Sequence, residues 1–477
     1  MRPILCLFFL AITIITNSQT QLGIDIDGET AGDHAGRSVS TNINGSIVAI
    51  GAEGNDDNGG FSGHVRVYQN QGGNWIQLGQ DIDGEEISDQ SGWSVSLNDD
   101  GTILAIGAPF NDIFAGSLGQ VRIFKFESSA WTQIGQAIQG QGNGDTFGWS
   151  VSLNSDGTRV AVGAPANDTN GGNSGSAQIF EINGNNWTQV GGILNGQNEF
   201  VRFGESLEIN GSGDRIIVGS LQYAQVYQNQ GGNWVQLGQD LDGGGTFANF
   251  GSTVSISANG NIISVKAFEA SNESSVFFYE LQGGTWVQKG LPIEAIGLGN
   301  DFGNSISLNG NGLLTAIGSP DANTVQIFQN QNGSWVQIGL TLEGEASNDD
   351  FGNSISMSSN GQIIAVGAPF NDGNGNGSGH VRVYDISTLL RLENNVFQDE
   401  ISAYPTFIET SLTIYNPKKL EMQSFRLFDI TGRSVLNGQF GNLDIETTID
   451  VRSLKVGMYV FHLNTDKGLF VQKLIKK

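Results

Sequence analysis

Phe147-Gly148-Trp149-Ser150-Val151-Ser152-Leu153-Asn154, then Ser155-Asp156-Gly157, then Arg159-Val160-Ala161-Val162-Gly163-Ala164-Pro165: the fold of the chain is read from this stretch. Its first segment alternates apolar and small polar residues, the period of two that marks a strand. Ser155-Asp156-Gly157 reads as a tight turn. The second segment is another strand, ended by Pro165, which has no N–H to add to a ladder. A Gly/Asn loop leads to a third strand at Ala177-Gln178-Ile179-Phe180, and Asn183-Gly184-Asn185-Asn186 turns the chain into a fourth, Trp187-Thr188-Gln189-Val190-Gly191. No part of this region keeps a helical period.

The unit recurs. Gly followed two residues later by Ser or Thr stands at Gly36, Gly92, Gly148, Gly204, Gly251, Gly303 and Gly352, at spacings of 56, 56, 56, 47, 52 and 49 residues. Seven four-stranded units at such a period predict an all-β, seven-bladed β-propeller. Six units carry a fourth-strand tryptophan (Trp75, Trp131, Trp187, Trp234, Trp286 and Trp335), read as apolar plugs between blades. The seventh unit lacks its fourth strand after His380-Val381-Arg382-Val383-Tyr384. Gln21-Leu22-Gly23-Ile24-Asp25-Ile26-Asp27-Gly28-Glu29 repeats Gln77-Leu78-Gly79-Gln80-Asp81-Ile82-Asp83-Gly84-Glu85 with nothing before it to pair. The N-terminal strand is therefore expected to complete blade seven and close the ring, removing an open edge.

Residues 1–20 read as a secretory signal peptide: a charged start, an apolar run from Ile4 to Ile15, then small polar residues. The single cysteine, Cys6, falls within it, which leaves residues 21–477 without a disulfide, a Cys metal site or a Cys nucleophile. The net charge of −26 is uneven: residues 21–387 hold 38 acidic and 10 basic side chains, whereas residues 388–477 hold 10 and 11. So acidic a propeller argues against nucleic acid and anionic lipid as partners. No further stretch is long and apolar enough for membrane insertion. The Gly/Asn-rich repeats stop near Ser387, so the expected order is propeller at 21–387, linker at 388–400 and a C-terminal domain at 401–477.

Two resemblances follow from these residues. Phe147-Gly148 with Gly163-Ala164-Pro165, and again Gly107-Ala108-Pro109 and Gly367-Ala368-Pro369, resemble the FG-GAP repeat of integrin α-subunit propellers and bacterial surface proteins. That family often places a calcium loop between strands one and two. Here those turns read Asn98-Asp99-Asp100-Gly101 and Asn154-Ser155-Asp156-Gly157, too poor in carboxylates for the six to eight oxygens calcium takes, and plain hairpin turns are expected. The C-terminal segment, with Tyr404-Pro405, Leu427-Phe428-Asp429-Ile430-Thr431-Gly432-Arg433, Leu454-Lys455-Val456-Gly457-Met458-Tyr459 and a basic end, is similar to the type A sorting domain of the Bacteroidetes type IX secretion system. By its own pattern it is a small antiparallel, Ig-like β-sandwich of about seven strands with turns at Gly432 and Gly457. The resemblance implies a protein secreted or held on the outer cell surface, with residues 401–477 engaging the type IX machinery.

Chain order places the two-to-three loops and the four-to-one connections at one end of the propeller, and that end is acidic. An Asn-Asp pair recurs in its loops at Asn55-Asp56, Asn111-Asp112, Asn167-Asp168 and Asn371-Asp372, in blades one, two, three and seven. Asp56, Asp112, Asp168 and Asp372 are candidate ligand-binding residues, and Asp112 and Asp168 are the candidates for a divalent cation such as calcium. The competing reading is that each Asp caps its own turn. Trp93 and Trp149, just after the repeat glycine, are candidates for stacking on a sugar, against simple packing at the channel mouth. His64 and His380 occupy equivalent positions with His34 nearby. Three imidazoles could hold zinc, although His-Val-Arg-Val-Tyr is also just the repeat recurring. The expected function is a non-catalytic binding or adhesion protein presenting acidic loops to a glycan or protein. The alternative is a secreted polysaccharide hydrolase or lyase, opposed by the lack of a long loop or a carboxylate pair that breaks the repeat.

Overall fold

The structure, a computed structural model, describes residues 19–111, 116–245, 247–269, 274–295, 301–331, 333–391, 401–405, 407–429, 434–440, 444–465 and 468–477; the signal segment at 1–18 lies outside them, as does most of the linker read at 388–400. The chain divides into two compact units, Met1–Ser387 and Thr388–Lys477. A five-residue helix, Ser387–Arg391, stands where the linker was read to begin.

Among the described residues, the first unit holds seven antiparallel sheets. In the sheet of the opening stretch, Ser150–Leu153, Arg159–Ala164, Ser176–Asn183 and Asn186–Gln189 lie side by side in chain order. Val151 pairs with Val162, Val162 with Gln178 and Phe180 with Gln189. The second strand is buried on both faces from Val160 to Ala164, which is why it reads as a nearly continuous apolar run. The first strand alternates: Val151 and Leu153 enter the core, whereas Ser150 and Ser152 reach the neighbouring sheet. Strand three runs past Phe180 to Asn183 because Glu181, Ile182 and Asn183 still pair with Thr188, Trp187 and Asn186.

Contacts between sheets explain the repeat motif. The hydroxyl of Ser150 donates to the carbonyl of Gly204 at 2.8 Å, and Ser38, Ser94, Ser305 and Ser354 make the same bond to Gly92, Gly148, Gly352 and Gly36. A Cβ placed on Gly163 would lie 2.1 Å from the Gly204 carbonyl oxygen, so the second strand needs glycine there for the sheets to approach. Gly148 itself has φ 93°, open to glycine without strain. Farther out, each fourth-strand tryptophan donates its indole N–H to a carbonyl of the preceding sheet, as Trp131 does to Leu78 at 2.7 Å and Trp286 to Leu237 at 2.8 Å. The six tryptophans are thus packing and hydrogen-bonding groups between sheets.

Thr20–Gln21 and Ile26–Asp27 pair with His380–Asp385 of the last sheet, with Gln21 opposite Tyr384 and Asp27 opposite His380. Beside His64–Gln71 the same places are taken by Asn74–Gln77 and Ile82–Asp83. Ile26 is buried with Val381 and Val383.

The second unit holds a sheet of Ser402–Tyr404, Ser411–Tyr415 and Glu446–Asp450, and another of Phe407–Ile408, Gly468–Lys476, Gly457–Thr465, Met422–Asp429 and Ser434–Gln439. Leu412, Ile414, Leu427, Phe461, Leu463 and Leu474 are fully buried in its core. The expected all-antiparallel arrangement needs one correction: Phe407–Ile408 runs parallel to Gly468–Lys476, an edge strand too short to carry an alternation legible in sequence. The turn read at Gly432 lies outside the described residues, and Gly457 starts a strand. Among the described residues, no helix is long and apolar enough to cross a membrane.

The pairing with His380–Asp385 predicts that deleting residues 21–29 lowers the melting temperature of the whole first unit, read by circular dichroism or calorimetry. Ile26→Ala alone is expected to cost about 2–4 kcal/mol. A truncated chain that melts at the original temperature would contradict the structural role of this pairing.

Candidate functional site

At the end of the first unit that carries the connections and two-to-three loops, the residue after each repeat glycine sits at the start of the first strand. Seven positions are related in this way: Arg37, Trp93, Trp149, Glu205, Ser252, Asn304 and Asn353. Three of them form a ladder. The Arg37 guanidinium lies 3.9 Å from the centre of the Trp93 ring, and the Trp93 and Trp149 rings are 4.6 Å apart at 49°. The Arg202 guanidinium lies 5.4 Å from Trp149, and the ring of Phe110 meets both indoles edge-on at 5.6 and 6.4 Å. Each rung is set by a tight turn, with Arg37, Trp93 and Trp149 donating their backbone N–H to His34, Gln90 and Thr146, residues that themselves adopt positive φ.

The ladder's cations are compensated locally. Arg37 lies 3.9 Å from Glu53, which also stands 3.3 Å from His34 Nδ1, and Arg202 bonds Glu205 at 2.8 Å. Burial lowers the Arg37 pKa, with Glu53 opposing. Burial raises the Glu205 carboxyl, with Arg202 opposing. Trp93 and Trp149 remain half-buried. The surface therefore offers indole and guanidinium planes without much net charge, suited to stacking on a planar or pyranose-like group. Trp93 and Trp149 are thus brought together, across two different sheets.

The acidic candidates are placed differently. Asp56, Asp168 and Asp372 each accept a hydrogen bond from a backbone N–H of their own loop, from Phe61 at 2.8 Å, Asn173 at 2.7 Å and Gly377 at 2.8 Å. Asp112 lies outside the described residues. The asparagine before each of these aspartates turns inward. Asn111, Asn167 and Asn371 bond the carboxylates of Asp89, Asp145 and Asp349 at 3.0, 2.7 and 2.9 Å, pinning loop to connection. Turns between strands one and two are plain hairpins, with Asp156 Oδ1 accepting from Thr158 N at 2.9 Å. The three imidazoles considered together in the sequence are apart: His34 packs against Phe370, while His64 and His380 stand in two different groups of carboxylates.

A cavity of about 170 Å³ is lined by the first strands of all seven sheets. A belt of hydrogen bonds rings its wall. Ser40, Ser96 and Ser152 accept from the N–H of Leu97, Leu153 and Ile209; Ser255, Ser307 and Ser356 accept from Leu308, Met357 and Thr41. At the seventh position the acceptor is Glu208, which bonds Ile256 N at 2.8 Å. Desolvation pushes the Glu208 carboxyl up to about 7, against hydrogen bonds from Ser255 and Ile256 that favour the charged form. The sequence reading missed Glu208, although the signal is there: aligning positions 40, 96, 152, 208, 255, 307 and 356 by the repeat glycine leaves one acid in a column of serines.

The profile of the FG-GAP repeat matches residues 131–180 and 335–384, each span taking the fourth strand of one sheet and three strands of the next. That of the secretion system C-terminal sorting domain matches residues 402–477. The chain joins FG-GAP repeats to a sorting domain. The sorting domain directs the protein through the type IX secretion system to the outer surface or the extracellular space, and it is the part that meets the type IX machinery. No curated protein matches the chain. Among solved structures, the chain is similar to Kuenenia stuttgartiensis hydrazine synthase at 12% identity, TM-score 0.47, covering 73% of this chain and 94% of that one. It is similar to the β-propeller domain of Myceliophteria thermophila Cps50 at 12%, TM-score 0.49, covering 77% and 99%. It is also similar to a periplasmic gluconolactonase of Pseudomonas aeruginosa at 15%, TM-score 0.46, covering 64% and 84%.

Glu208 yields a pH prediction. A carboxyl whose pKa rises on folding contributes stability that is fully present below its ordinary value of 4.5 and is lost as pH climbs through about 7. Glu208→Gln keeps an acceptor for Ile256 and removes the charge. The variant is expected to be more stable than the parent by roughly 1–3 kcal/mol at pH 8, with the gap closing by pH 5. Parallel melts at the two pH values check this; a variant less stable at pH 8 would refute it.

Proposed function

We propose that the seven sheets are the blades of one closed ring, fastened by the N-terminal strand and followed by an Ig-like sandwich, and that this secreted ring is a non-catalytic binding protein. The reading rests on the Trp93–Trp149 ladder. Three of the seven repeats place a small polar residue at this slot (Ser252, Asn304 and Asn353), yet two adjacent ones place indoles 4.6 Å apart, flanked by Arg37 and Arg202. Stacked aromatic planes rimmed by hydrogen-bonding loops favour a hydroxyl-rich ligand, and we assign a glycan to this mouth. With 38 acidic against 10 basic side chains over residues 21–387, the ring disfavours a polyanionic one. Asp56, Asp168 and Asp372 form an outer acidic rim in this reading, meeting hydroxyl or cationic groups of the ligand.

A hydrolase or lyase would draw on Glu208, whose carboxyl near 7 suits acid–base work. Glycoside hydrolysis ordinarily takes two carboxylates, and the other six belt positions are serines already engaged between sheets. We therefore assign Glu208 to the belt and the binding activity to the mouth.

The test is binding of the full chain to a panel of neutral, cationic and uronic-acid polysaccharides, followed by titration of the strongest. Trp93→Ala and Trp149→Ala are each expected to weaken binding by roughly 10-fold or more, in keeping with about 1–3 kcal/mol per aromatic stack. Trp286→Ala, which removes a plug between sheets, is expected to lower stability and leave affinity unchanged. Equal affinity in all three variants, or no binding to any member of the panel, would overturn the assignment.

A further inference from the structure

Two copies of one side-chain cluster flank the pairing of the N-terminal segment with the last sheet. In one, His64 opens a third strand opposite Asp83 and gathers with Glu29 and Asp81, their ligand-capable atoms all within 4.8 Å of one another. In the other, His380 stands opposite Asp27 and gathers with Asp27 and Asp25 in the same way. The surroundings of the two histidines correspond, although Glu29 completes the first cluster where Asp27 completes the second. Asp81 and Asp83 repeat Asp25 and Asp27, while Arg66 beside Glu29 is matched by Arg382 beside Glu345.

Both imidazoles are fully buried without adequate partners. His64 is 0% exposed and neither ring nitrogen has a hydrogen bond; His380 is 1% exposed and its Nε2 has none. Leaving such a group unpaired is costly. Nδ1 of His64 lies 3.9 Å from Glu29 Oε2, and Nδ1 of His380 lies 3.5 Å from Asp25 Oδ2. These are long for hydrogen bonds, but two ligands of one tetrahedral zinc stand about 3.4 Å apart. The neighbouring sheet supplies the contrast. There Gln120 replaces the histidine, bonding Gln139 at 3.1 Å and Glu85 at 2.7 Å, so neutral amides complete the polar network. The chain has four histidines, and only these two begin a third strand.

We infer that His64, Glu29 and Asp81 bind a first-row divalent transition metal of the zinc type, and that His380, Asp25 and Asp27 form a second, weaker copy of the site. Imidazole with carboxylates selects such ions over calcium and magnesium, which take oxygen alone. Arg66 Nη1 approaches Glu29 Oε1 at 3.4 Å and leaves Oε2 to the metal; Gln77 bonds one oxygen of Asp81 and leaves the other. Arg382 competes harder, holding both oxygens of Asp25 at 3.0 to 3.1 Å, which makes the second site the weaker. Asp25, Asp27 and Glu29 all belong to the N-terminal segment, while His380 and His64 begin third strands of the last and first sheets. Bound metal would lash that segment to both. This assignment does not rest on the glycan reading.

The full chain, stripped with chelator, is titrated with zinc, manganese and calcium by calorimetry, with melting followed in parallel. Expected are saturable zinc binding at a tighter and a weaker site, and a rise in melting temperature through preferential binding to the folded state. Calcium should produce no heat. His64→Gln copies a side chain the next sheet already accommodates, so its metal-free melting temperature should stay near the parent's while the tighter site weakens by roughly 100-fold or more. His380→Gln should remove the weaker site. No saturable zinc binding by the parent, calcium binding in its place, or an unchanged zinc response in the double variant would overturn the inference.

Discussion

The close approach of neighbouring sheets at the repeat glycine is the constraint on which the first unit depends. One glycine's carbonyl oxygen occupies the space a Cβ would need on the glycine of the adjacent second strand, and a serine hydroxyl from that sheet binds the same oxygen. Any larger residue at either glycine pushes two sheets apart, and a sheet displaced there also loses its Ser-to-backbone bond in the belt below. Tryptophans complete the contact at the outer edge, where the wedge between sheets is widest and a large plane can fill it while its N–H reaches a carbonyl. Small residues inside and large ones outside are what radial packing demands.

The strand grammar was legible because strand period, turn glycine and Pro165 are local signals, and because repetition multiplied them. The partner of residues 21–29 was legible as well, since a fourth-strand motif with no third strand before it has one vacant place to go. The Asn-Asp pairs were legible only halfway. Their periodicity marks a loop, but that Asp168 bonds Asn173 while Asn167 bonds Asp145 is decided by the direction of side chains within the loop. The ladder joins Trp93 to Trp149 across sheets, and the His64 cluster joins residues of an N-terminal segment to the first sheet; neither juxtaposition has a local signature.

Regularity is the background against which function can be sought in such a scaffold, because a position held in common by seven units answers to packing. Three departures stand out: indoles at two of seven mouth positions, one glutamate in a belt of serines, and histidine with aspartates in the two sheets that meet at the N-terminal segment. The first is half-buried at the end that carries the connections. The second lines the cavity among the first strands. The third lies where the two ends of the first unit are joined.

That junction also governs how the molecule comes into being. Asp25 grips Arg382 across 357 positions of sequence, so the contact cannot form until nearly all of the first unit has emerged. Every other sheet can assemble from a stretch of fewer than about sixty residues, as loop closure favours, while the last waits for its first-made strand. Closing so long a span is among the entropically costliest steps in folding this unit, because the other sheets close over short loops. Until that step, the strand His380–Asp385 has a bare edge, and the chain's own leading segment is what keeps it from pairing with another molecule.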